Sequence, residues 1–478
     1  MRRPLIWFGC LILLVSFGLR LRDQAHIELW TDEAVSLQHA RTTDWPALVE
    51  SLARNEGMPP LYFFGLQVWR KGFGESELAL RFPSIWLGVV AIALMAPLAQ
   101  RTFHRDVSWL GAAIMAVSPI HITLSQWARP YALALCLTLC LLLLAQELGK
   151  RPGWRAWVLF CLIAIAAMYT LYILGTLLVG IGLYIAYKRR RQGLWQCLWP
   201  TVAAGLVTLT AFAPWLPVVL HQNTWAPKAL WWVPPPQFRL ALETLDQFLL
   251  GAEQRGWPAP VVLVFIPSIV ALLLVGMYRA WRADRLSFVL LSTSLPVLLI
   301  WVASYWSPIY LPRHVAFALP GVVLLLMEAV LSFRPMLRSV MVATLVGAAL
   351  VAQATPPADQ GGVIPWSSVV TWMAAKVQPG DMVVFSPPFA QAAFEVKYNG
   401  PPVEKRGIGE YEAYVRQPDA VLGVYIPLGT IRKWVSNKSE FWLLEDARWP
   451  NHWGEWEFQG TLKAEFPGLR ILQYTRHQ

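Results

Sequence analysis

The stretch HIELWTDEAVSLQHARTTDWPALVESLARNEGMPPLYFFGLQVWRKGFGESELALRFP, residues 26–83, decides how the rest of the chain is read. It is polar, rich in aromatics, and set between two long apolar runs. Eight carboxylates fall inside it (Glu28, Asp32, Glu33, Asp44, Glu50, Glu56, Glu75 and Glu77), with Asp23 just before. The remainder of residues 1–354 carries only seven. Acids gathered into one loop at the edge of an apolar run point to chemistry there, because the runs themselves exclude charge.

The chain as a whole is 56% apolar and 14% charged, against the ~45–50% apolar usual for soluble domains. Apolar runs long enough to cross a bilayer recur. They predict eleven spans, at about 5–21, 81–100, 107–121, 130–148, 156–170, 171–187, 198–220, 258–278, 286–304, 314–333 and 339–354. The stretch 156–187 must supply two short ones. The start Met1-Arg2-Arg3 and the run to Leu19 resemble a signal peptide, but no A-x-A-like cleavage site follows, so they read as a retained first span.

With Arg2 and Arg3 inside, every short basic loop falls on the cytoplasmic side: Arg101 and Arg105; Lys150, Arg151 and Arg155; Lys188 to Arg191; Arg279, Arg282 and Arg285; Arg334 and Arg338. Residues 1–354 hold 28 Lys+Arg, and those loops with the N-terminus account for 16 of them. The net charge of +11 is therefore topological, and nucleic-acid binding is excluded as a function class. The five cysteines (Cys10, Cys136, Cys140, Cys161, Cys197) lie in or beside apolar runs, with neither disulfide nor metal spacing.

The fold class expected is a polytopic α-helical membrane protein, 1–354, with interfacial helices in its first outer loop (22–80), followed by a small C-terminal α/β domain, 355–478, outside. In the first loop Asp44 is placed to cap a helix begun by Trp45-Pro46, with Trp45, Leu48, Val49 and Leu52 on its apolar face. Pro59 and Pro60 open a second helix with Leu61, Phe64 and Val68 on one side. Both are too short to span and are expected to lie in the interface plane. The second outer loop (221–257) has a Pro-rich part and an amphipathic helix with Leu242, Leu245, Phe248 and Leu249 on one face, either a lid or a membrane-lying helix. In the tail, helices at 366–377, 388–398 and 430–436 alternate with strands at 381–386, 419–427 and 440–446, and a hairpin closes the chain. No phosphate-binding glycine motif appears.

Asp32 and Glu33 follow the first span in W-T-D-E. A carboxylate is ionised at neutral pH and accepts a hydroxyl proton without special tuning. Arg81, Arg129 and Arg313 each stand at the outer start of an inward-running span, where the positive-inside rule and the helix dipole both oppose a cation. An anion that offsets this is expected, and a lipid-linked phosphate at the outer leaflet is the natural one; pairing with the loop acids or snorkelling to water is the alternative. Lys228, His121, Gln126, Tyr131 and His314 lie at the same level.

Taken together, W-T-D-E, P-P-L-Y-F (Pro59–Phe63, including Tyr62), L-R-F-P-S (Leu80–Ser84), L-S-Q-W-A-R-P-Y (Leu124–Tyr131) and P-R-H-V-A-F-A-L-P-G (Pro312–Gly321) occur in an order that resembles the C-type membrane glycosyltransferases of the family 39-like group, related to protein O-mannosyltransferases and aminoarabinose transferases. The resemblance covers roughly 1–335. It implies a polyprenyl-phosphate sugar as donor, Asp32 as the first-loop catalytic acid residue, and lipid-phosphate contacts among Arg81, Arg129 and Arg313. Beside what the resemblance implies, Glu33 is expected to share the catalysis with Asp32, Lys228 to join the donor-phosphate contacts, and Pro59, Pro60, Tyr62, His121, Gln126, Tyr131 and His314 to be acceptor, sugar or supporting positions. Relatives often carry His or Lys before the double proline, where Gly57-Met58 stands here.

The reaction expected is an inverting transfer to an extracytoplasmic glycan, lipid or protein acceptor, with Asp32 as general base. No metal or other cofactor is expected, a divalent ion shared by Asp32, Glu33 and a donor phosphate being the one alternative. A flippase of lipid-linked sugars would need polar groups deep in the spans, and an O-antigen ligase or polymerase would carry its arginines in a large late loop. The location expected is the inner membrane, with the N-terminus cytoplasmic.

Overall fold

The computed structural model describes residues 2–103, 108–150, 152–190, 193–226, 230, 233–251, 256–354, 364–407, 428–447 and 457–476. Lys228, the domain boundary at 354/355 and the strand expected at 419–427 fall at or beyond the edges of these segments.

The chain is a multi-pass membrane protein, and its apolar runs are helices: α1 (Arg2–Leu21), α5 (Glu77–Thr102), α6 (Ser108–Val117), α7 (Pro119–Gln126), α8 (Tyr131–Lys150), α9 (Trp154–Met168), α10 (Leu174–Arg189), α11 (Leu194–Phe212), α12 (Leu216–Gln222), α14 (Ala259–Arg282), α15 (Leu286–Val289), α16 (Leu295–Ala303), α17 (Leu319–Val330) and α18 (Pro335–Ala354). A helical segment stands at each of the eleven expected positions. Six stretches of the described residues are long and apolar enough to cross a membrane outright, and α6 with α7, bent by 65°, makes a seventh if counted as one span. The α14 helix leaves Leu263, Val264 and Leu274 exposed, an apolar surface of the kind a membrane span turns to lipid.

The α6–α7 break is explained by Pro119, which has no N–H and cannot continue the hydrogen-bond ladder. The carbonyl of Ala116 is instead satisfied by the Arg20 guanidinium, 3.2 Å away. Arg20 is fully buried, bonds the Ser16 carbonyl and hydroxyl at 2.9 Å, and contacts His121 Nδ1. A cation at a helix C-terminus is electrostatically favoured.

Between α1 and α5 lie three short helices: α2 (Thr31–Ala40), α3 (Trp45–Asn55) and α4 (Leu61–Phe73). Asp44 caps α3 as expected, accepting the Ala47 N–H at 2.9 Å. In α4, Tyr62, Phe63 and Leu66 point inward while Phe64 (43%) and Val68 (57%) stay exposed. The second-loop helix α13 (Phe238–Leu249) differs from its expected packing. Leu240, Thr244, Asp246, Phe248 and Leu249 are its buried residues; Ser118 donates to the Phe248 carbonyl at 2.6 Å, so α13 rests on the α6–α7 break.

The C-terminal domain is a five-stranded sheet in the order β2-β1-β3-β5-β4, built from β1 (Met382–Ser386), β2 (Glu404–Arg406), β3 (Glu440–Asp446), β4 (Phe458–Phe466) and β5 (Leu469–Arg476), with helices α19 (Trp366–Ala374), α20 (Ala390–Lys397) and α21 (Leu428–Trp434). β1 pairs β2 and β3 in parallel, and β5 pairs β3 and β4 antiparallel. Its core does not close on itself. Ala34 and Val35 of α2 belong to the same buried cluster as Val369, Phe385, Phe394 and Ile471. The Glu28 carboxylate caps α19 through the Ser367 N–H, 3.2 Å away; Gln38 donates to Glu395 at 2.6 Å, and Lys397 pairs with Glu77. The first loop is thus held between the spans and this domain.

Candidate active site

Asp32 sits in the first turn of α2, partly exposed. Its backbone carbonyl accepts the Ser36 hydroxyl at 3.0 Å and Arg129 Nη1 at 3.3 Å. The backbone is therefore what the fold holds, and no hydrogen bond to the carboxylate is made among the described residues.

Glu33 is different. It has no exposure at all, and its two oxygens accept four N–H groups: Arg81 Nε at 2.8 Å and Nη2 at 2.5 Å, the Ala128 N–H at 2.8 Å, and the Trp30 N–H at 3.3 Å. Glu33, expected to share the catalysis, is thus placed in a buried ion pair, and Arg81, expected at a lipid phosphate, is its partner. Its remaining N–H groups go to the carbonyls of Gln24 (3.1 Å), Ile27 (2.7 Å) and Glu28 (3.0 Å). All five donors of the guanidinium are used, and none is left for a phosphate.

Arg129 is also claimed from within. Nη1 donates to Glu56 at 2.8 Å and to Ser36 at 3.2 Å, Nη2 lies 3.3 Å from Met58 Sδ, and the charge stands over the Phe63 ring. Burial by itself would discourage the charge on Arg129, but Glu56 and then Asp32 outweigh it and raise its pKa above the ordinary value. Burial would likewise push the Glu56 carboxyl up, yet Arg129 and His39 hold it below the usual range. Glu56 was not singled out from the sequence. Its backbone is fixed in turn by Gln222, which donates to its carbonyl at 2.7 Å, and through Gln222 by Tyr172 and Trp215. Met58, one of the two residues that depart from the family pattern, packs its sulfur on Arg129.

Tyr131 joins these groups. Arg313, Arg129, Asp32 and Glu56 all lie near enough to act electrostatically on its hydroxyl. Arg313 and His314 line, with Tyr131, Leu171 and Phe317, a cavity of about 10 Å³, room for about one water. The structure therefore brings Asp32, Arg129, Tyr131, Arg313 and His314 to one place. Tyr62 stands behind them, 3.3 Å from the Ser84 hydroxyl, and Pro59-Pro60 open α4, whose Leu61 N–H meets the Tyr169 carbonyl at 2.9 Å. His121 and Gln126 are not brought in. They belong to the Arg20 cluster, where Gln126 donates to the carbonyls of Leu19 and Arg20. Among the described residues no three His, Cys, Asp or Glu side chains converge on a metal-sized site.

One histidine gives a pH dependence. Burial depresses His39, near Glu56 and Arg129, to about 4. Below about 6.5 the unfolded chain takes up a proton that the folded one refuses, so stability falls as pH drops from about 6.5 to about 4. The loss is at most roughly 3 kcal/mol. Thermal unfolding in detergent from pH 7.5 to 5 should show it, with a shallower slope in His39→Gln; equal slopes would rule it out. His314 Nδ1 meets the Ile309 carbonyl at 2.7 Å.

Residues 58–217 match the family described as dolichyl-phosphate-mannose-protein mannosyltransferase. Among curated proteins no relative matches the sequence. Two solved structures of ArnT from Cupriavidus metallidurans, one bound to undecaprenyl phosphate and one in the apo state, superpose with a TM-score of 0.62 at 14% identity, covering 98% of each chain. The chain has the C-type glycosyltransferase fold. This C-type fold also superposes on the oligosaccharyltransferase AglB from Archaeoglobus fulgidus, in complex with an inhibitory peptide and a dolichol-phosphate, with a TM-score of 0.50 at 11% identity, over 92% of this chain and 69% of that one. The resemblance drawn from the motifs is thereby supported at the level of family model and fold.

Proposed function

We propose that this chain is a glycosyltransferase that moves a sugar from a polyprenyl-phosphate donor to an acceptor on the non-cytosolic face of the inner membrane, inverting the anomeric carbon. The observation that carries the reading is the grouping at the start of α8: Arg129 donates to the backbone carbonyl of Asp32 at 3.3 Å, and Tyr131, two residues further on, lines one cavity with Arg313 and His314. That ArnT is bound to undecaprenyl phosphate and AglB to a dolichol-phosphate supports the donor class.

In this mechanism the Asp32 carboxylate takes the proton of the acceptor hydroxyl as its oxygen bonds to the anomeric carbon. The bond from that carbon to the phosphate oxygen breaks, and the electron pair leaves with the lipid phosphate. Arg313 stabilises the charge that collects there. Phosphate is already a good leaving anion, so no acid is required. Arg129 keeps α2 in place and adds positive potential beside the base; it is a positioning residue.

The test is donor kinetics of the full chain in lipid nanodiscs with undecaprenyl-phosphate sugars. A charge-assisted contact is worth about 1.5–3 kcal/mol, so Arg313→Gln should lower kcat/KM for the donor roughly 10–100-fold with little change in thermal stability. Unchanged donor kinetics would reject the phosphate role, and a product that retains the donor's anomeric configuration would reject direct displacement. Activity is expected to persist in chelator.

A further inference from the structure

Two residues before the proposed base stands Trp30, and two before Arg129 stands Trp127. The fold treats them as a pair. Their ring centroids are 4.7 Å apart at 44°, and both rings are half-buried. The row continues inward, with Trp127 edge-on to Tyr131 at 6.2 Å and Tyr131 beside His314 at 6.4 Å. Four rings thus run from the residue that precedes α2 to the neighbour of Arg313. One carboxylate sets the spacing of the outer two: Glu33 accepts the backbone N–H of Trp30 and that of Ala128, next to Trp127. A buried ion pair spent on holding two tryptophans in register is more than a lipid-facing belt requires, since belt residues sit singly at the interface with their faces to lipid. Trp30 also carries an indole N–H that is buried with no acceptor among the described residues, a state that costs about 1–3 kcal/mol.

We propose that Trp30 and Trp127 form the seat of the transferred sugar, taking the apolar C–H face of a pyranose or furanose ring carried by the lipid phosphate. This rests on the reading above, in which the phosphate lies at Arg313 and the acceptor proton goes to Asp32. The sugar between them then lies along the row of rings. Aromatic faces attract positive charge, and the anomeric centre becomes cation-like in glycosyl transfer, so the seat favours the transition state over the bound donor. A sugar hydroxyl reached by a small turn of the Trp30 side chain gives its N–H the missing acceptor.

The test compares undecaprenyl phosphate alone with undecaprenyl phosphate carrying mannose or glucose, bound to the full chain in nanodiscs. The wild-type chain should bind at least one sugar-bearing lipid up to about tenfold tighter than the bare lipid, in line with the worth of aromatic contacts. Trp30→Ala and Trp127→Ala should bring that ratio to within about twofold of unity while leaving the affinity for bare lipid in place, and Trp127→Phe should retain most of it. A ratio untouched in both alanine variants would overturn the proposal and move sugar recognition elsewhere, the acceptor side included. It would also be overturned by equal loss for bare and sugar-bearing lipid, which marks a purely structural pair, or by a wild-type chain with no sugar preference. Failure of the wild-type chain to bind bare undecaprenyl phosphate would instead sink the donor assignment on which the proposal stands.

Discussion

Asp32→Asn is expected to insert and fold like the parent chain and to transfer sugar roughly 10²–10⁴-fold more slowly. The substitution is isosteric, and an amide oxygen does not take a proton from a hydroxyl at neutral pH. Folding is spared because α2 is anchored through the backbone carbonyl of residue 32, which Ser36 and Arg129 bind. Arg129 loses one attractive neighbour but keeps Glu56, 2.8 Å away. Transfer rates at saturating donor, read beside thermal unfolding of the same preparation, check this. Turnover within a few-fold of the parent would end the general-base assignment.

The second large effect is on stability. Arg81→Leu leaves Glu33 ionised, fully buried and without its cation, and breaking such a pair costs about 3–5 kcal/mol. Glu33→Leu strands Arg81 in the same way. Replacing both by leucine removes the charges together and should recover much of the lost stability, since apolar pairs of similar volume often substitute for buried ion pairs. Activity should not recover with it. The carboxylate also holds the N–H groups of Trp30 and Ala128, and the double variant releases both. A stable, inactive double variant is the expected signature; an Arg81→Leu chain with parental melting temperature and turnover would contradict the assignment.

These arginines show how far residues alone could be read. Arg81 and Arg129 announce themselves as cations on the wrong side of the membrane, and the need for a compensating anion follows from electrostatics. What the sequence does not show is which anion. Glu33 is 48 residues from Arg81 and Glu56 is 73 from Arg129, and both lie in the acid-rich loop that was read as a source of catalysts. Of the three, Arg313 is the one for which we propose the phosphate role. The helix α2 was also missed, for a physical reason. Seven of its ten residues are buried, and three of those (Glu33, Ser36 and His39) are polar, so its burial follows no apolar helical period that could be detected. In α13 the period was detected but its phase was misplaced, because Thr244 turns inward to meet Tyr310 at 3.1 Å. Local signals fared better: the Asp44 cap, the break between α9 and α10, and the closing hairpin of β4 and β5 follow from neighbouring residues and need no distant partner.

The placement of Ala34 and Val35 within the core of the C-terminal domain has a consequence for biosynthesis. The helix that carries Asp32 leaves the ribosome among the first residues, while the strands and helices it leans on arrive roughly 330 residues later. At ordinary bacterial synthesis rates of about 5–20 residues per second, that interval is tens of seconds. Throughout it the spans can insert, but the short helix behind them lacks a wall. A nascent or prematurely terminated chain therefore holds its first loop without that support, and only the arrival of the last segment completes the packing around α2.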